Sequence, residues 1–446
     1  MKRLFGTDGI RAVAGDPPLD PPTVRKFGAA LATVLGRGPE AGGRCRVVLG
    51  RDTRESGPSL RDAVVAGLAA RRAVAVDAGV ITTPGLAHVV LHGGFDAGVM
   101  ISASHNPFED NGLKAFGRDG FKLPDDTEQQ IERLMLDGGL DDPGEAAARV
   151  EADPLLLDEY VRSLERAAPN RLDGLDVVLD CANGAASAIA PELFRRRGAR
   201  VTTLATEPDG RNINLDCGSL HLERLGQTVR RSGADLGLAF DGDADRCLAV
   251  DRRGRTVDGD HILYLAGCRM KRNGTLRRNA LVATIMSNFW LEERLGFEGI
   301  GLHRAPVGDK YVLERMIRED LVLGGEQSGH VIFRDHASTG DGILTGLLLL
   351  DAVTDGPPLE QVMDGIEPYP QVLINVRVKS KPDLDRHARI GPAGRRTEAE
   401  LDGHGRVVLR YSGTEPKARV MVEGKHAETV RRLAESLSAL IEEELG

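Results

Sequence analysis

Three stretches of this chain share one layout, and it constrains the fold more than any other feature. RCRVVLGRD at 44–52, DVVLDCANG at 176–184 and ALVATIMSN at 280–288 each run from apolar, partly β-branched residues into polar turn chemistry. Each precedes an amphipathic stretch, for example 59–71 and 186–197, whose spacing predicts a helix. Continuous apolar strands alternating with helices predict sheets with parallel strands covered on both faces. Their spacing, roughly 100 to 130 residues, predicts three α/β units of similar plan. From Tyr369 onward the pattern changes: QVLINVRVKS, GRVVLRYSG and ARVMVEG precede a last helix beginning near Ala427, which predicts a smaller α+β unit. A chain of 446 residues is too long for one core. The expected fold class is therefore α/β, with four domains around a central cleft. Three are α/β units with mixed or parallel sheets (1–155, 156–255 and 256–367), and the fourth is the α+β unit (368–446). The Pro-rich patch at 367–370 is the candidate linker and hinge.

Charge and cysteine usage narrow the partners. A formal net charge of −9 argues against nucleic acid or an anionic membrane as the main partner. It leaves room for a small anionic substrate where basic residues converge. The five cysteines, Cys45, Cys181, Cys217, Cys247 and Cys268, lie far apart with no C-x-x-C, so neither zinc nor a disulfide framework is indicated. MKRLFGTDGIR lacks the apolar core of a signal peptide, and the longest apolar stretch, 342–353, is too short to span a bilayer. A cytoplasmic protein, monomeric or homodimeric, is expected.

Four polar loops follow apolar strands, and in open α/β sheets ligands bind beyond the carboxyl ends of strands, so the loops are expected to face one cleft. In GVMISASHNPFEDNG at 98–112 an apolar run delivers Ser104 beside His105, Asn106 and Pro107. Asn-Pro stops regular structure, which would leave the hydroxyl accessible at the mouth of a strand. Ser104 is thus a candidate nucleophile or phosphoryl carrier, or else part of a turn capping the next helix. ADLGLAF then runs into Asp241-Gly242-Asp243-Ala244-Asp245-Arg246. In an extended segment the three alternate carboxylates point the same way, and their repulsion calls for a cation, Mg²⁺ at a phosphate site. The bland reading is an acidic surface turn. An EF-hand is excluded, because Arg246 stands where that loop needs glycine and Arg252 where it needs glutamate. The third loop, GEQSGH at 325–330, offers Glu326 and Ser328 for sugar hydroxyls, though a tight turn uses the same letters; upstream, HRAPVGDKY adds Arg304 and Lys310. The fourth, RYSGTEPK at 410–417 with Arg419, reads either as an anion nest or as an exposed hairpin. FGTDGIR at 5–11 contributes Arg11, and NGLK contributes Lys114. A cation near every loop suits a doubly phosphorylated ligand.

Taken together, these strings resemble the α-D-phosphohexomutase superfamily. The resemblance runs from FGTDGIR at 5–11 to RVMVEG at 419–424, nearly the whole chain and in that superfamily's order. ISASHNP and DGDADR are its marks, and its four-domain plan agrees with the layout above. GEQSGH is similar to the sugar loop of the branch acting on glucosamine phosphate; branches acting on mannose or glucose phosphate usually differ at Gln327. The resemblance implies interconversion of glucosamine 6-phosphate and glucosamine 1-phosphate through a phosphoserine and a 1,6-bisphosphate, feeding UDP-N-acetylglucosamine and cell-wall precursors. Glucose or mannose phosphate is the alternative substrate. It implies Ser104 as the phosphorylated residue, and Mg²⁺ held by Asp241, Asp243, Asp245 and an oxygen on Ser104. Arg11 and Lys114 would line the reacting phosphoryl, and His330 would move the proton. Glu326 and Ser328 would hold sugar hydroxyls, while Arg410, Ser412, Gly413, Thr414 and Arg419 would hold the other phosphate. Ser102, His105, Arg246, Arg304 and Lys310 are auxiliary candidates, and glucosamine or glucose 1,6-bisphosphate is the implied activator. Two positions depart from the pattern: Ala12 replaces a glycine, and Lys310 stands where arginine is commoner, keeping charge without bidentate geometry. Two other classes compete. A haloacid dehalogenase-type phosphatase would use Asp241 as nucleophile and Asp243 as acid, and a sugar-phosphate sensor would use no chemistry.

Overall fold

The apolar runs become the central strands of separate sheets. In the computed structural model, residues 4–6, 8–36, 44–144, 150–153, 155–354, 356–412 and 416–446 are described, and their strands form four sheets. Arg46–Arg51, buried at its centre, pairs in parallel with Val74–Val80 and Ala97–Ile101. Val150–Ala152 joins one edge, and Asp110–Gly117 with Ile10–Val13 completes the other, giving six strands. The second sheet is built on Asp176–Asp180, parallel to Arg200–Leu204 and Leu236–Phe240. The third is built on Ala280–Thr284, parallel to Gly301–Ala305 and Leu323–Gly325. The fourth has three antiparallel strands, Gln371–Arg377, Lys417–Gly424 and Gly405–Tyr411, with Ala427–Leu445 and Ile390–Glu400 as its helices.

Each α/β sheet closes with the same device: a buried strand, a polar loop, and a strand returning antiparallel. Ala97–Ile101 returns as Asp110–Gly117, Leu236–Phe240 as Cys247–Asp251, and Leu323–Gly325 as Val331–Phe333. Those three loops carry Ser104, the aspartates and GEQSGH. The sheets are therefore mixed, and the returning strand is what places each motif. One expected helix is not continuous. Residues 186–197 divide into a 3₁₀ turn, Ala185–Ala188, and a helix, Ala190–Arg196, because Pro191 fits only a first helical turn.

The cores follow a different division from the sheets. One apolar cluster runs from Tyr160 and Leu164 through Phe240 and Leu281 to Leu347 and Tyr369, so the second and third sheets share it. The first sheet is packed on both faces by its own clusters, and the C-terminal unit has a separate core around Val420, Val422, Leu433 and Ile441. Among the described residues no helix is long and apolar enough to cross a membrane.

Candidate active site

Ser104 is held in the left-handed region, at φ 54°, a conformation that costs a non-glycine residue free energy and persists where its surroundings impose it. Buried Arg54 imposes it. Its guanidinium donates to the carbonyls of Ser104 and Asn106 at 2.9 Å and of Asp110 at 2.9 Å, and also to that of Pro107. Asn214, from the second unit, donates to the Ser104 and Asn106 carbonyls at 2.9 and 3.0 Å. The Ser104 N–H donates to Ser102 Oγ, which donates to Asp52, itself ion-paired to Arg54 at 2.8 Å. Ser102 thus positions the serine backbone. The side chain is not accessible as the sequence suggested: Ser104 is 1% exposed, and its Oγ turns onto Asp241 Oδ2 at 2.5 Å. His105 Nδ1 lies 3.2 Å from the same oxygen, and burial, with Arg246 and Arg11 nearby, lowers that imidazole to about 4, so it is neutral near pH 7.

The three aspartates do not sit on an extended strand. Residues 241–245 form a turn with Ala244 at φ 54°, and the turn, not strand alternation, brings their carboxylates within 4.8 Å of one another. Glycine is required beside them: a Cβ on Gly242 would lie 2.5 Å from the Ser104 carbonyl, so the two loops touch backbone to backbone. All three aspartates are buried. Lys114 Nζ lies 2.7 Å from Asp243, 3.1 Å from Asp8 and 3.5 Å from Asp245, and Thr83 Oγ1 donates to Asp243 at 2.5 Å. Burial, then Asp245 and Asp243, push the Asp241 carboxyl well above the usual carboxylate range. Asp243 Oδ1 and Asp245 Oδ1 are buried without hydrogen bonds. Orphaned hard oxygens around a crowded triad fit a divalent cation such as Mg²⁺.

A cleft of about 500 Å³ opens beside this cluster, lined by Gly6, Asp8, Gly9 and Arg11 from the first unit and Asp245 and Arg246 from the second. His105, Lys122, Gly308, Asp309, Glu326 and His330 also line it, with Leu4 and Val307 as its apolar side chains. Against the cost of burial, Asp245, Asp241 and Glu326 keep Arg246 charged. Burial likewise opposes a charge on His330, but Asp245 and Asp309 pull its pKa upward. The Gly340 N–H donates to His330 Nε2 at 3.1 Å, so the neutral ring carries its proton on Nδ1, facing Asp245 at 3.7 Å.

Several expected residues lie elsewhere. Arg304 donates to the carbonyls of Ser287 and Thr284 and pairs with Glu292, bracing the loop under the C-terminal unit, not the cleft. Lys310 pairs with Asp125 of the first unit, outside the cleft wall. In the fold the Arg304 charge is spent inside the third unit and the Lys310 charge on a junction between the first and third. Ser328 Oγ is buried without a hydrogen-bond partner, and Glu326 Oε1 accepts the Gly308 N–H at 3.0 Å. Gly413 and Thr414 lie outside the described residues. Arg410 and Arg419 stand opposite each other on paired strands, and burial with Arg419 lowers the Arg410 pKa, as suits an anion site. Among the described residues, neither they nor Ser412 line that cleft, and 413–415 of the same loop lie outside the described residues. Sequence reasoning missed Arg54, Asn214, Thr83, Asp8, Lys122 and Asp309. Asp8 and Asp309 sat inside quoted motifs; the others contact carbonyls or carboxylates far off in sequence.

Four phosphoglucomutase/phosphomannomutase family models match the chain in order: alpha/beta/alpha domain I at residues 2–140, domain II at 158–254, domain III at 258–369 and the C-terminal domain at 373–440. The chain is 49% identical to the phosphoglucosamine mutase of Solibacter usitatus, covering 100% of this chain and 99% of that one. It is 47% identical to that of Symbiobacterium thermophilum, with both chains covered fully. Among solved structures, a phosphoglucomutase/phosphomannomutase family protein of Burkholderia thailandensis superposes with a TM-score of 0.80 at 24% identity, over 98% of this chain and 97% of that one. An N-acetylphosphoglucosamine mutase of Aspergillus fumigatus, solved with GlcNAc-6P and magnesium, superposes at 0.66 and 18% identity, over 99% and 96%. At those identities the superpositions carry the fold.

Proposed function

Because this chain belongs to the phosphoglucosamine mutases of the phosphoglucomutase/phosphomannomutase family, we propose that its cleft interconverts glucosamine 6-phosphate and glucosamine 1-phosphate through phosphorylated Ser104. The free hydroxyl of the sugar monophosphate attacks the phosphorus of phosphoserine 104. The bond to Ser104 Oγ breaks, that oxygen takes up one proton for the one the attacking hydroxyl gives up, and a 1,6-bisphosphate forms. That intermediate reorients and returns its other phosphoryl to Ser104, leaving the isomeric monophosphate. Asp241, Asp243 and Asp245, with an oxygen on Ser104, would hold Mg²⁺, whose positive charge neutralises the reacting phosphoryl. Arg11, Lys114 and Arg246 supply further fixed positive charge. The proton of the attacking hydroxyl goes to His330 Nε2, which gives up the Gly340 N–H to take it, and Asp245 and Asp309 stabilise the cation formed. Glu326 and Ser328 hold sugar hydroxyls, and Arg410, Ser412, Gly413, Thr414 and Arg419 hold the phosphate not in transfer. The reaction starts with glucosamine or glucose 1,6-bisphosphate, which primes Ser104. It runs in the cytoplasm, a placement supported by cysteines that are all free thiols.

One observation carries this reading: Ser104 Oγ meets Asp241 Oδ2 at 2.5 Å across two units. A phosphatase with Asp241 as nucleophile leaves that serine and its Arg54 cradle without a task. The test incubates the protein with Mg²⁺, a trace of glucosamine 1,6-bisphosphate and each hexose 6-phosphate in turn, following 1-phosphate. Fast conversion of the glucosamine compound, abolished in Ser104→Ala, is expected. Preference for glucose or mannose 6-phosphate would move the substrate, and inorganic phosphate without isomerisation would overturn the mutase.

A further inference from the structure

Four carboxylates face the cleft: Asp8, Asp245, Glu326 and Asp309. Three already have work. Asp8 accepts from Arg11 and Lys122 and lies 3.1 Å from Lys114. Asp245 belongs to the acidic triad, and Glu326 is assigned above to sugar hydroxyls. Asp309 has no assigned contact with the sugar; its one part in the mechanism is the negative charge it sets near His330. It opens the helix Asp309–Arg318, directly after Gly308, whose N–H is tied to Glu326 at 3.0 Å, so the carboxylate is anchored beside the sugar loop. Its Oδ2 accepts from Lys122 at 2.5 Å and lies 3.8 Å from His330 Nε2. Its side chain is 16% exposed, and among the described residues its Oδ1 makes no hydrogen bond.

The substrate chemistry matches that oxygen. A 2-amino sugar differs from glucose and mannose in carrying, through much of the neutral range, an ammonium where they carry a hydroxyl. A hydroxyl is content with a neutral partner, whereas an ammonium is a donor only and, once partly desolvated, needs an anion. The Lys122 ammonium on Oδ2 is a stand-in for such a group, and Oδ1 leaves the carboxylate room for a second one. We propose that Asp309 receives the 2-ammonium of the sugar and so sets the preference for glucosamine phosphates over glucose and mannose phosphates. This rests on the phosphoglucosamine mutase reading above.

The test measures kcat/KM on glucosamine 6-phosphate and glucose 6-phosphate for the wild type, Asp309→Asn and Lys122→Gln, each with the bisphosphate and Mg²⁺. Asparagine keeps the size and one acceptor but removes the charge. In Asp309→Asn the charge lost near His330 slows both sugars alike, and the glucosamine value should fall by roughly 10- to 100-fold more than the glucose value. Lys122→Gln, with Asp309 intact, should keep the glucosamine preference even if both rates fall. Equal losses on both sugars in Asp309→Asn, or no loss on either, would overturn the assignment. A preference that collapses equally in Lys122→Gln would give discrimination to the ion pair and overturn it too. A wild type that turns over glucose 6-phosphate but not glucosamine 6-phosphate would instead sink the underlying substrate reading, and this inference with it.

Discussion

The serine loop is held by backbone carbonyls, and Arg54 holds the carbonyls. With 1% of its surface exposed, its guanidinium satisfies acceptors from Ser104, Asn106, Pro107 and Asp110 and neutralises Asp52. Removing one partner of a buried ion pair leaves an uncompensated charge. Arg54→Met should therefore destabilise the chain by about 3–5 kcal/mol in urea melts, and by letting Ser104 leave φ 54° it should cut turnover as well. Full activity and unchanged stability would mean that Arg54 holds nothing. Ser104, the aspartates and Glu326 were legible in the sequence because each follows an apolar strand that ends abruptly in polar residues. Arg54 and Asn214 were not, since their partners are main-chain atoms that no side-chain pattern announces. The convergence of Asp241, Asp243 and Asp245 was legible, but its cause was not: the turn at Ala244 replaces the expected strand alternation.

At the scale of elements, the three strand–loop–strand hairpins do what the parallel strands alone cannot, turning each motif back toward a neighbouring unit. The strands were readable from their apolar runs. The antiparallel returns were less so, because Val331–Phe333 is only three residues long. Helix ends also depend on buried groups. Asp341, 3% exposed, accepts the Leu344 N–H at 3.0 Å at the start of Gly342–Thr354, and Tyr160 Oη donates to it at 3.0 Å. Burial outweighs those bonds and raises its carboxyl from 3.8 to about 6. The folded chain thus binds this proton more tightly than the unfolded chain does. The resulting stabilisation, about 3 kcal/mol, is complete below the unfolded value and is lost as pH rises through about 6. Asp341→Asn should flatten that part of the pH dependence, seen in urea melts between about pH 4 and about pH 7. An unchanged slope would mean that Asp341 ionises normally in the fold.

At the scale of the molecule, the shared core ties the second and third sheets together, while the C-terminal unit keeps its own. Four units were legible because three motif-bearing repeats precede a tail of different pattern; the shared core was not, since burial across units leaves no local period. The candidate linker is pinned: Asn288 and Tyr369 exchange two hydrogen bonds, at 3.0 and 3.1 Å, and the Phe289 N–H reaches Glu423 at 2.9 Å. Among the described residues, Arg410, Ser412 and Arg419 are absent from the cleft wall, and the phosphate-holding role proposed for them predicts that the C-terminal unit turns about that clasp. Sugar bisphosphate should therefore reduce the radius of gyration in solution scattering, and identical scattering with and without it would contradict the closure. At the centre of the proposed reaction, one serine carries the phosphoryl group between two ends of one sugar. The direct measurement is a single turnover of radiolabelled phosphoenzyme with glucosamine 6-phosphate, followed by peptide mapping. The label should leave Ser104, pass into a sugar bisphosphate and then into sugar monophosphate; label that maps to Asp241, or escapes as inorganic phosphate, would contradict it.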